Sequence, residues 1–335
     1  MRLAIIDDYQ SVWGRFVDWR ELEGVTVVPF RDHVFDEDEL IARLGDFDAV
    51  LRIRERTEFP RRVLDALPRL KLILATGMRN ARSIDLKAAE ERGVTVVATQ
   101  VHHATTVEVV WLLLLSLFRD FTGEVASFRA GGWQRGLGAG LDGKVLGIVG
   151  LGHMGRPVAR IAQAFGMTVI AWSPNLTAER AAPHGVEAVA KKDLFRRADA
   201  VTIHMPLSDR SIGIVGAEDI AAMKPTAFLV NTSRPQLVDE DALIAALQAR
   251  RIGGAGLDVY GVEPLPEDHV YRSLPNVVAT PHIGFVTQEN YEIFFRQSFE
   301  NLKAYLDGTP VRVIDPANPY LPDAPLADTA PGDVT

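Results

Sequence analysis

Three strongly polar side chains each follow an apolar segment in the second half of the sequence. Arg234 comes after "FLVNTS", Glu263 after "GLDVYGV" and His282 after "VVATP". If these segments are parallel strands of one sheet, their carboxyl ends meet at the same edge and the three side chains become neighbours. A guanidinium can hold a carboxylate through two hydrogen bonds, and an imidazole paired with a carboxylate can deliver a proton near neutral pH. The three residues therefore predict a site that binds a carboxylate and protonates a second group.

Each of these residues also has a structural explanation that needs no ligand. Arg234 could belong to a buried ion pair, and Glu263 could cap a turn. His282 could be a turn residue whose ring is hydrogen-bonded within the protein. These explanations lose weight when the three residues occur together beside a loop that binds a dinucleotide.

Such a loop follows the apolar segment "KVLGIVG" and has the pattern Gly150-x-Gly152-x-x-Gly155. The pattern alone is a weak signal, but a strand before it and a helix after it indicate a dinucleotide site. In that context Gly150 allows the tight turn, Gly152 lets the backbone approach the diphosphate, and Gly155 lets helix and strand pack closely. The amides near His153 and Met154 are then expected to face the phosphates at the start of the helix.

The choice between NAD and NADP depends on the end of the next strand. NAD-binding proteins usually place an acid there, about 20 residues past the glycines, to accept the ribose hydroxyls. This chain has Ser173, eighteen residues past Gly155, so no carboxylate repels a 2′-phosphate. No arginine is adjacent in the sequence, the next being Arg180, and Ser173 or Asn175 could bind either ribose. The sequence predicts NAD or NADP and leaves the choice open.

Beside a nicotinamide cofactor, the three polar groups match the demands of hydride transfer to a 2-keto acid. Arg234 would hold the carboxylate and polarise the keto oxygen. His282 would protonate the developing alkoxide, while Glu263 would stabilise the imidazolium and fix its orientation. The predicted reaction is the interconversion of a 2-keto acid and a 2-hydroxy acid.

Short β-rich segments alternate with amphipathic helical segments, and the alternation occurs twice along the chain. The predicted strands are residues 3–7, 25–30, 48–53, 70–76 and 94–99, and then 144–150, 167–173, 200–206, 227–233, 254–260 and 276–282. This alternation predicts an α/β protein with two doubly wound parallel-sheet domains, Rossmann- or flavodoxin-like, and a cleft between them.

The second domain is predicted to be inserted within the first, because one long helix remains after the last strand. We expect a substrate-binding, flavodoxin-like domain at 1–104 and 285–312 and a dinucleotide-binding Rossmann domain at 105–284. Residues 313–335 are rich in proline and acid, and we expect a flexible tail there.

Composition excludes several classes of function. The 335 residues carry a net charge of −8, which argues against binding to nucleic acid. The most apolar segment, at 109–118, is about half the ~20 residues of a membrane span. The chain has no cysteine, and its histidines and acids lack metal-ligand spacing such as H-x-x-x-H, so we expect no metal. We expect a cytoplasmic protein with no membrane partner.

With these residues in place, the chain resembles the D-isomer-specific 2-hydroxyacid dehydrogenases from about residue 45 to 310. The resemblance is carried by "GLGHMG", "MKPTAFLVNTSR", "GAGLDVYGVEPLP" and "LPNVVATPHIGFVTQE". It implies an Arg–Glu–His catalytic set that matches Arg234, Glu263 and His282. The family usually has glycine after the catalytic arginine, whereas this chain has Pro235, which fixes φ and removes an amide.

The resemblance also implies residues that line the cofactor, with Asp258 near the nicotinamide carboxamide. The matching positions in this sequence are His204, Pro206, Thr232, Ser233, Asp258 and Gly284. A small 2-keto or 2-hydroxy acid is the implied partner, and a homodimer is the usual assembly of the family.

In the first domain, "RIRERT" resembles the family loop that contributes a substrate-facing arginine, here Arg54. "ATGMRNARS" resembles the substrate loop, whose amides near Gly77 and Met78 would hold a carboxylate. Where the family usually has a second glycine and an aspartate, this chain has Asn80 and Arg82. These changes predict a substrate different from those of better-known members.

Two other functions are compatible with the same fold. An NAD(H)-sensing regulatory protein would bind the cofactor without turnover, and the joint presence of Arg234, Glu263 and His282 counts against it. Oxidation of an anion such as formate needs no proton transfer, and the carboxylate of Glu263 would then be unnecessary.

Overall fold

The computed structural model describes residues 1–77 and 83–317, and the chain divides into two compact units. The first unit comprises Met1–His102 and Thr287–Thr335, and the second comprises His103–Val286. Met78, Asn80 and Arg82 and most of the expected flexible tail therefore lie outside the described residues.

The strands of both units are short and parallel. They are β1 (Arg2–Ile6), β2 (Thr26–Pro29), β3 (Ala49–Arg52), β4 (Leu72–Ala75), β5 (Thr95–Ala98), β6 (Val145–Val149), β7 (Thr168–Trp172), β8 (Glu187–Ala188), β9 (Ala200–Ile203), β10 (Phe228–Asn231), β11 (Gly254–Leu257) and β12 (Val277–Ala279). Side chains along β1, β3 and β4 are almost all buried, as expected for strands covered by helices on both faces.

Helices fill most of the connections between these strands. They are α1 (Glu37–Leu44), α2 (Arg61–Asp65), α3 (Leu86–Glu91), α4 (Ala104–Arg119), α5 (Phe121–Arg129), α6 (Gly155–Ala164), α7 (Ala178–Ala181), α8 (Lys191–Arg197), α9 (Ala217–Ala221), α10 (Glu240–Gln248) and α11 (Gln288–Leu306). Several begin at side-chain caps: Asp36, Asp85 and Asp239 each accept a hydrogen bond from an amide in the first turn. In the part of the chain that the structure describes, no helix combines the length and the apolar character needed to cross a membrane.

The two sheets have different strand orders. Within the described residues, the first unit has five strands in the order β2-β1-β3-β4-β5, which is the order of flavodoxin-like folds. The second unit has seven, in the order β12-β11-β10-β9-β6-β7-β8, which contains the Rossmann order read from its other edge. The prediction of two doubly wound parallel-sheet units is therefore confirmed.

Two expectations from the sequence are corrected. The second sheet was predicted with six strands, but the two-residue strand β8 pairs with β7 as a seventh at its edge. Two residues are too few to show a hydrophobic period. The flexible tail was expected from residue 313, but Val313 pairs with Val97 and Ile314 is buried in the core of the first unit. Two apolar side chains in an otherwise polar segment anchor its beginning.

Candidate active site

The glycine turn begins directly after β6 and ends at the start of α6. Gly150 has a φ of +100°, and a Cβ there would lie 2.6 Å from the carbonyl oxygen of His204. A Cβ on Gly155 would lie 2.2 Å from the carbonyl oxygen of Gly150. Gly152 has nothing within 4 Å of its own Cβ position. Two of the glycines are thus required by packing, and the third faces open space that a ligand can enter.

His153 and Met154 occupy the turn between Gly152 and α6. The His153 ring lies 5.3 Å from the ring of His103 and nearly perpendicular to it, while Met154 packs on the apolar cluster beneath the helix. Neither of the two backbone amides is hydrogen-bonded to a described residue. Unbonded amides at the positive end of a helix fit the diphosphate of a dinucleotide.

A cavity of about 570 Å³ opens beside this turn. Its lining residues are Gly150, Leu151, Gly152, Arg156, Ser173, Pro174, Asn175, Leu176, Arg180, His204, Met205, Pro206, Ser208, Arg210, Ser211 and Ile214. The cavity brings together five of the predicted cofactor-binding residues, which come from the ends of three strands. It has the size and position of a site for the nucleotide half of a cofactor.

The three candidate catalytic residues follow neighbouring strands. β11 pairs with β10 on one side and with β12 on the other, and Leu257 stands opposite both Asn231 and Ala279. Arg234 lies three residues beyond Asn231, and His282 lies three residues beyond Ala279. Adjacent strands are separated by about 4.8 Å, so both residues emerge close to the end of β11.

His282 and Glu263 form a direct pair at this edge. The Nδ1 atom of His282 lies 2.6 Å from the Oε2 atom of Glu263, and both side chains are partly exposed. The other carboxylate oxygen, Oε1, accepts a hydrogen bond of 2.9 Å from the Tyr260 amide. Because the carboxylate holds Nδ1, the Nε2 atom is the ring nitrogen that can exchange a proton with a ligand.

Asp258 braces the loop that carries His282. Its carboxylate is buried and accepts hydrogen bonds from the Thr280 hydroxyl at 2.6 Å and from the Ile283 and Gly284 amides at 2.8 Å each. The loop needs this support because His282 has a φ of +51°, a backbone conformation that residues other than glycine rarely adopt. Burial raises the pKa of the Asp258 carboxyl above its ordinary value, while its hydrogen bonds act in the opposite direction.

Arg234 has extended backbone and precedes a short 3₁₀ turn that begins at Pro235. Its Nη1 atom donates to the Ser233 carbonyl at 2.6 Å, and its own carbonyl accepts from the Asn231 side chain at 2.9 Å. Proline is suited to the first position of a helical turn because no amide is needed there. The departure from glycine at Pro235 therefore makes the turn after Arg234 more rigid.

Thr232 and Ser233 line the same edge in different ways. The Ser233 hydroxyl donates to the Ile203 carbonyl at 2.7 Å and ties the end of β10 to β9. The buried Thr232 hydroxyl has no hydrogen-bond partner among the described residues. A buried polar atom without a partner is costly, so this hydroxyl fits a site completed by a ligand.

In the first unit, the structure brings Arg54 and Gly77 together. The Arg54 guanidinium donates to the Gly77 carbonyl, and its backbone amide donates to the Thr76 hydroxyl at 2.9 Å. The Gly77 amide in turn donates to the Thr99 hydroxyl at 2.8 Å. Arg54 and Gly77 both have positive φ, so the residues that follow β3 and β4 are held in a specific conformation.

Comparison with known proteins identifies the chain. Residues 111–284 match the model of the D-isomer specific 2-hydroxyacid dehydrogenase, NAD binding domain. The chain belongs to this family. A D-3-phosphoglycerate dehydrogenase of Methanocaldococcus jannaschii is 37% identical over 81% of this chain and 52% of that protein. A glyoxylate reductase of Thermococcus litoralis is 35% identical over 80% of this chain and 83% of that protein.

Solved structures give the same assignment. A phosphoglycerate oxidoreductase from Vibrio cholerae has a TM-score of 0.87 and 39% identity, covering 92% of this chain and 99% of that one. This member of the D-isomer-specific 2-hydroxyacid dehydrogenase family spans about half the length of the curated phosphoglycerate dehydrogenases that it matches first. The predictions of the family and of a nicotinamide dinucleotide-binding domain are confirmed.

Several residues of this candidate site were not identified from the sequence. Tyr260 orients Glu263 through its amide, and its hydroxyl donates to the carbonyls of Leu257 and Thr280. Arg156 and Arg210 line the cavity together with Ser173. Arg156 directly follows the third glycine, so a sequence signal for it was present, but only the folded chain brings the loop of Arg210 to the same cavity.

Proposed function

We propose that the protein catalyses the NAD(P)-dependent interconversion of a 2-keto acid and a D-2-hydroxy acid. The observation that carries this proposal is the His282–Glu263 pair, at 2.6 Å, on the sheet edge that also bears Arg234. The open Gly152 backbone and the unpartnered Thr232 hydroxyl support a dinucleotide bound at the same edge.

When bound, the nicotinamide supplies or accepts the hydride. The Arg234 guanidinium would hold the substrate carboxylate and polarise its keto oxygen, with its turn kept rigid by Pro235. The Nε2 atom of His282 would deliver a proton to the developing alkoxide. Glu263 would stabilise the resulting imidazolium and keep the ring in place, since its other oxygen is held by the Tyr260 amide.

The substrate class we propose is a small 2-keto acid, and we propose Arg54, Gly77 and Met78 as further carboxylate-binding residues. Arg54 and Gly77 are already bonded to each other in the first unit, which supports a shared role. The names of the relatives support glyoxylate, hydroxypyruvate and phosphorylated three-carbon acids as the first compounds to assay.

We propose a cytoplasmic homodimer. The cysteine-free composition supports a reducing compartment. Large apolar side chains are exposed in one segment after α4, including Phe128 at 66%, Trp133 at 72% and Leu137 at 104%. Clustered apolar side chains at a surface favour association, and sedimentation of the wild type against Trp133→Ser would test the assembly.

The activity is tested by following nicotinamide absorbance with a panel of 2-keto acids, and by determining the configuration of the product. We expect turnover with at least one acid and a D-product. Arg234→Lys keeps the charge but loses the bidentate geometry, so kcat/KM should fall roughly 10- to 100-fold while cofactor affinity is unchanged. Arg251→Lys, at an exposed position, is the control.

Absence of turnover with every acid, together with tight cofactor binding, would favour the NAD(H)-sensing alternative. Full activity of Arg234→Lys and Arg234→Ala would remove Arg234 from the mechanism.

A further inference from the structure

The nucleotide cavity contains three guanidinium groups and no acid. Arg156, Arg180 and Arg210 are the charged residues among its described lining residues, which include neither Asp nor Glu. The chain as a whole carries a net charge of −8, so this cluster is not a result of a basic composition. A local excess of positive charge in an acidic protein indicates an anionic ligand.

The three arginines line the same cavity as Ser173, which occupies the position where NAD-binding proteins place a carboxylate. Ser173 directly follows β7, so the strand ends in a hydroxyl instead of an acid. The Nη1 atom of Arg180 donates to the Asn175 carbonyl at 2.7 Å, which holds this guanidinium beside the loop that Ser173 begins. A guanidinium has five N–H donors, so most of those on Arg180 remain for a ligand.

Arg210 is presented by an ordered loop after β9. The buried Ser211 hydroxyl donates to the Pro206 carbonyl at 2.8 Å and accepts from the Ser208 amide at 2.7 Å. These hydrogen bonds link residues within the loop and hold the backbone of Arg210 at the cavity.

The arginines are not explained as partners of acids. None of the three forms an ion pair with a described residue. Glu179, which is next to Arg180 in the sequence, does not line the cavity, and hydrogen bonds from its own backbone amide and from the Thr177 hydroxyl lower its pKa. No ion pair within the described chain therefore accounts for the three guanidinium groups.

We propose that this cavity binds the 2′-phosphate of NADPH, and that Arg180, Arg210 and Ser173 make the enzyme prefer NADPH to NADH. The proposal rests on the proposed function in that the ligand is a nicotinamide dinucleotide. A 2′-phosphate carries close to two negative charges and three acceptor oxygens, which match the donors of arginine. Ser173 contributes by its neutrality, because a carboxylate there would repel the phosphate.

The test is the affinity for each cofactor without substrate. We expect NADPH to bind at least about tenfold more tightly than NADH, since one charge-assisted bond corresponds to roughly that factor. The fragments 2′,5′-ADP and 5′-AMP should show the same ratio, because they differ only in the discriminating phosphate. The difference in affinity between NADPH and NADH should decrease as salt is added, because salt screens the attraction between the phosphate and the arginines.

Two matched pairs of variants locate the effect. Ser173→Asp should abolish the preference for NADPH, whereas Ser173→Asn, of equal size and no charge, should retain it. Arg180→Ala should weaken NADPH roughly tenfold and leave NADH unchanged. Arg160→Ala removes an exposed arginine on α6 that does not line the cavity, and it should change neither affinity.

Equal affinity for the two cofactors would overturn the proposal. An equal loss of affinity for NADPH and NADH in Arg180→Ala would also overturn it, because the arginines would then bind the diphosphate that the two cofactors share. A protein that discriminates between the fragments but reduces no keto acid would retain this inference and refute the proposed reaction.

Discussion

In the part of the chain that the structure describes, each unit has a histidine–carboxylate pair at the carboxyl edge of its sheet. In the first unit, Nδ1 of His33 lies 2.9 Å from Oδ1 of Asp7, and in the second, Nδ1 of His282 lies 2.6 Å from Oε2 of Glu263. The first pair is nearly sealed, with exposed fractions of 9% and 1%, against 21% and 24% in the second. The pairs have the same chemistry but different access.

The loops beside the two pairs differ in the same way. After β1, the Asp8 carboxylate accepts hydrogen bonds from the Val12 and Trp13 amides, so an internal anion occupies the turn. After β6, the glycine turn leaves the His153 and Met154 amides without a hydrogen bond to a described residue, and Gly152 faces open space. A parallel sheet offers the same edge in both units, and the residues of the first turn decide whether that edge is closed or open to a ligand.

The largest expected effect tests whether solvent exposure distinguishes the role of His282 from that of His33. His282→Asn should lower kcat roughly 10²- to 10⁴-fold, because the proposed proton donor is lost, and should leave the NADPH dissociation constant unchanged. The matched variant His33→Asn should cost stability and leave kcat unchanged. Steady-state kinetics and cofactor titration of both proteins check this, and equal losses of kcat would end the distinction.

The next effect tests the open turn. Gly155→Ala places a methyl group against the Gly150 carbonyl, 2.2 Å away, so the start of α6 must shift. Dinucleotide affinity should fall roughly 10- to 100-fold. Gly14→Ala, in the first unit's loop, adds the same group where nothing lies within 4 Å. Cofactor titration should find it unchanged, and wild-type affinity in Gly155→Ala would contradict the packing explanation.

A third histidine, His204, tests how burial changes the pKa of an imidazole. Burial lowers the pKa of His204 to about 4, below its value of about 6.5 in an unfolded chain. Between these values the unfolded state binds the extra proton, so the free energy of unfolding decreases as pH falls. The expected loss from pH 7 to pH 5 is about 2 kcal/mol. Urea unfolding at both pH values should show this loss in the wild type and a smaller one in His204→Gln.

The smallest effect concerns the closed turn. Asp8→Asn keeps the shape but removes the charge that accepts two amides, and it should lower the free energy of unfolding by about 1–2 kcal/mol. Cofactor affinity should not change, as calorimetry and titration of the same sample can establish. A loss of cofactor binding would mean that this loop is not purely structural.

Sequence patterns predicted the framework of both sheets and most of the proposed site. Short apolar segments and acidic helix starts, such as Asp36 and Asp239, are local signals. The rule that parallel strands end at one edge of the sheet then predicts which loops become neighbours. The edge strand β8 escaped prediction because two residues carry no period. The buried pair at His33 also escaped, since nothing near that histidine in the sequence distinguishes it from His282.

The amino-acid sequence by itself determined the elements, their parallel arrangement and the glycine turn, because these depend on short-range periodicity and on conformations that only glycine adopts readily. Tertiary structure alone decided which histidine is accessible and which arginines share a cavity with Ser173. Those properties depend on distances between loops far apart in the chain, and they are set by the packing of the sheet that carries the loops.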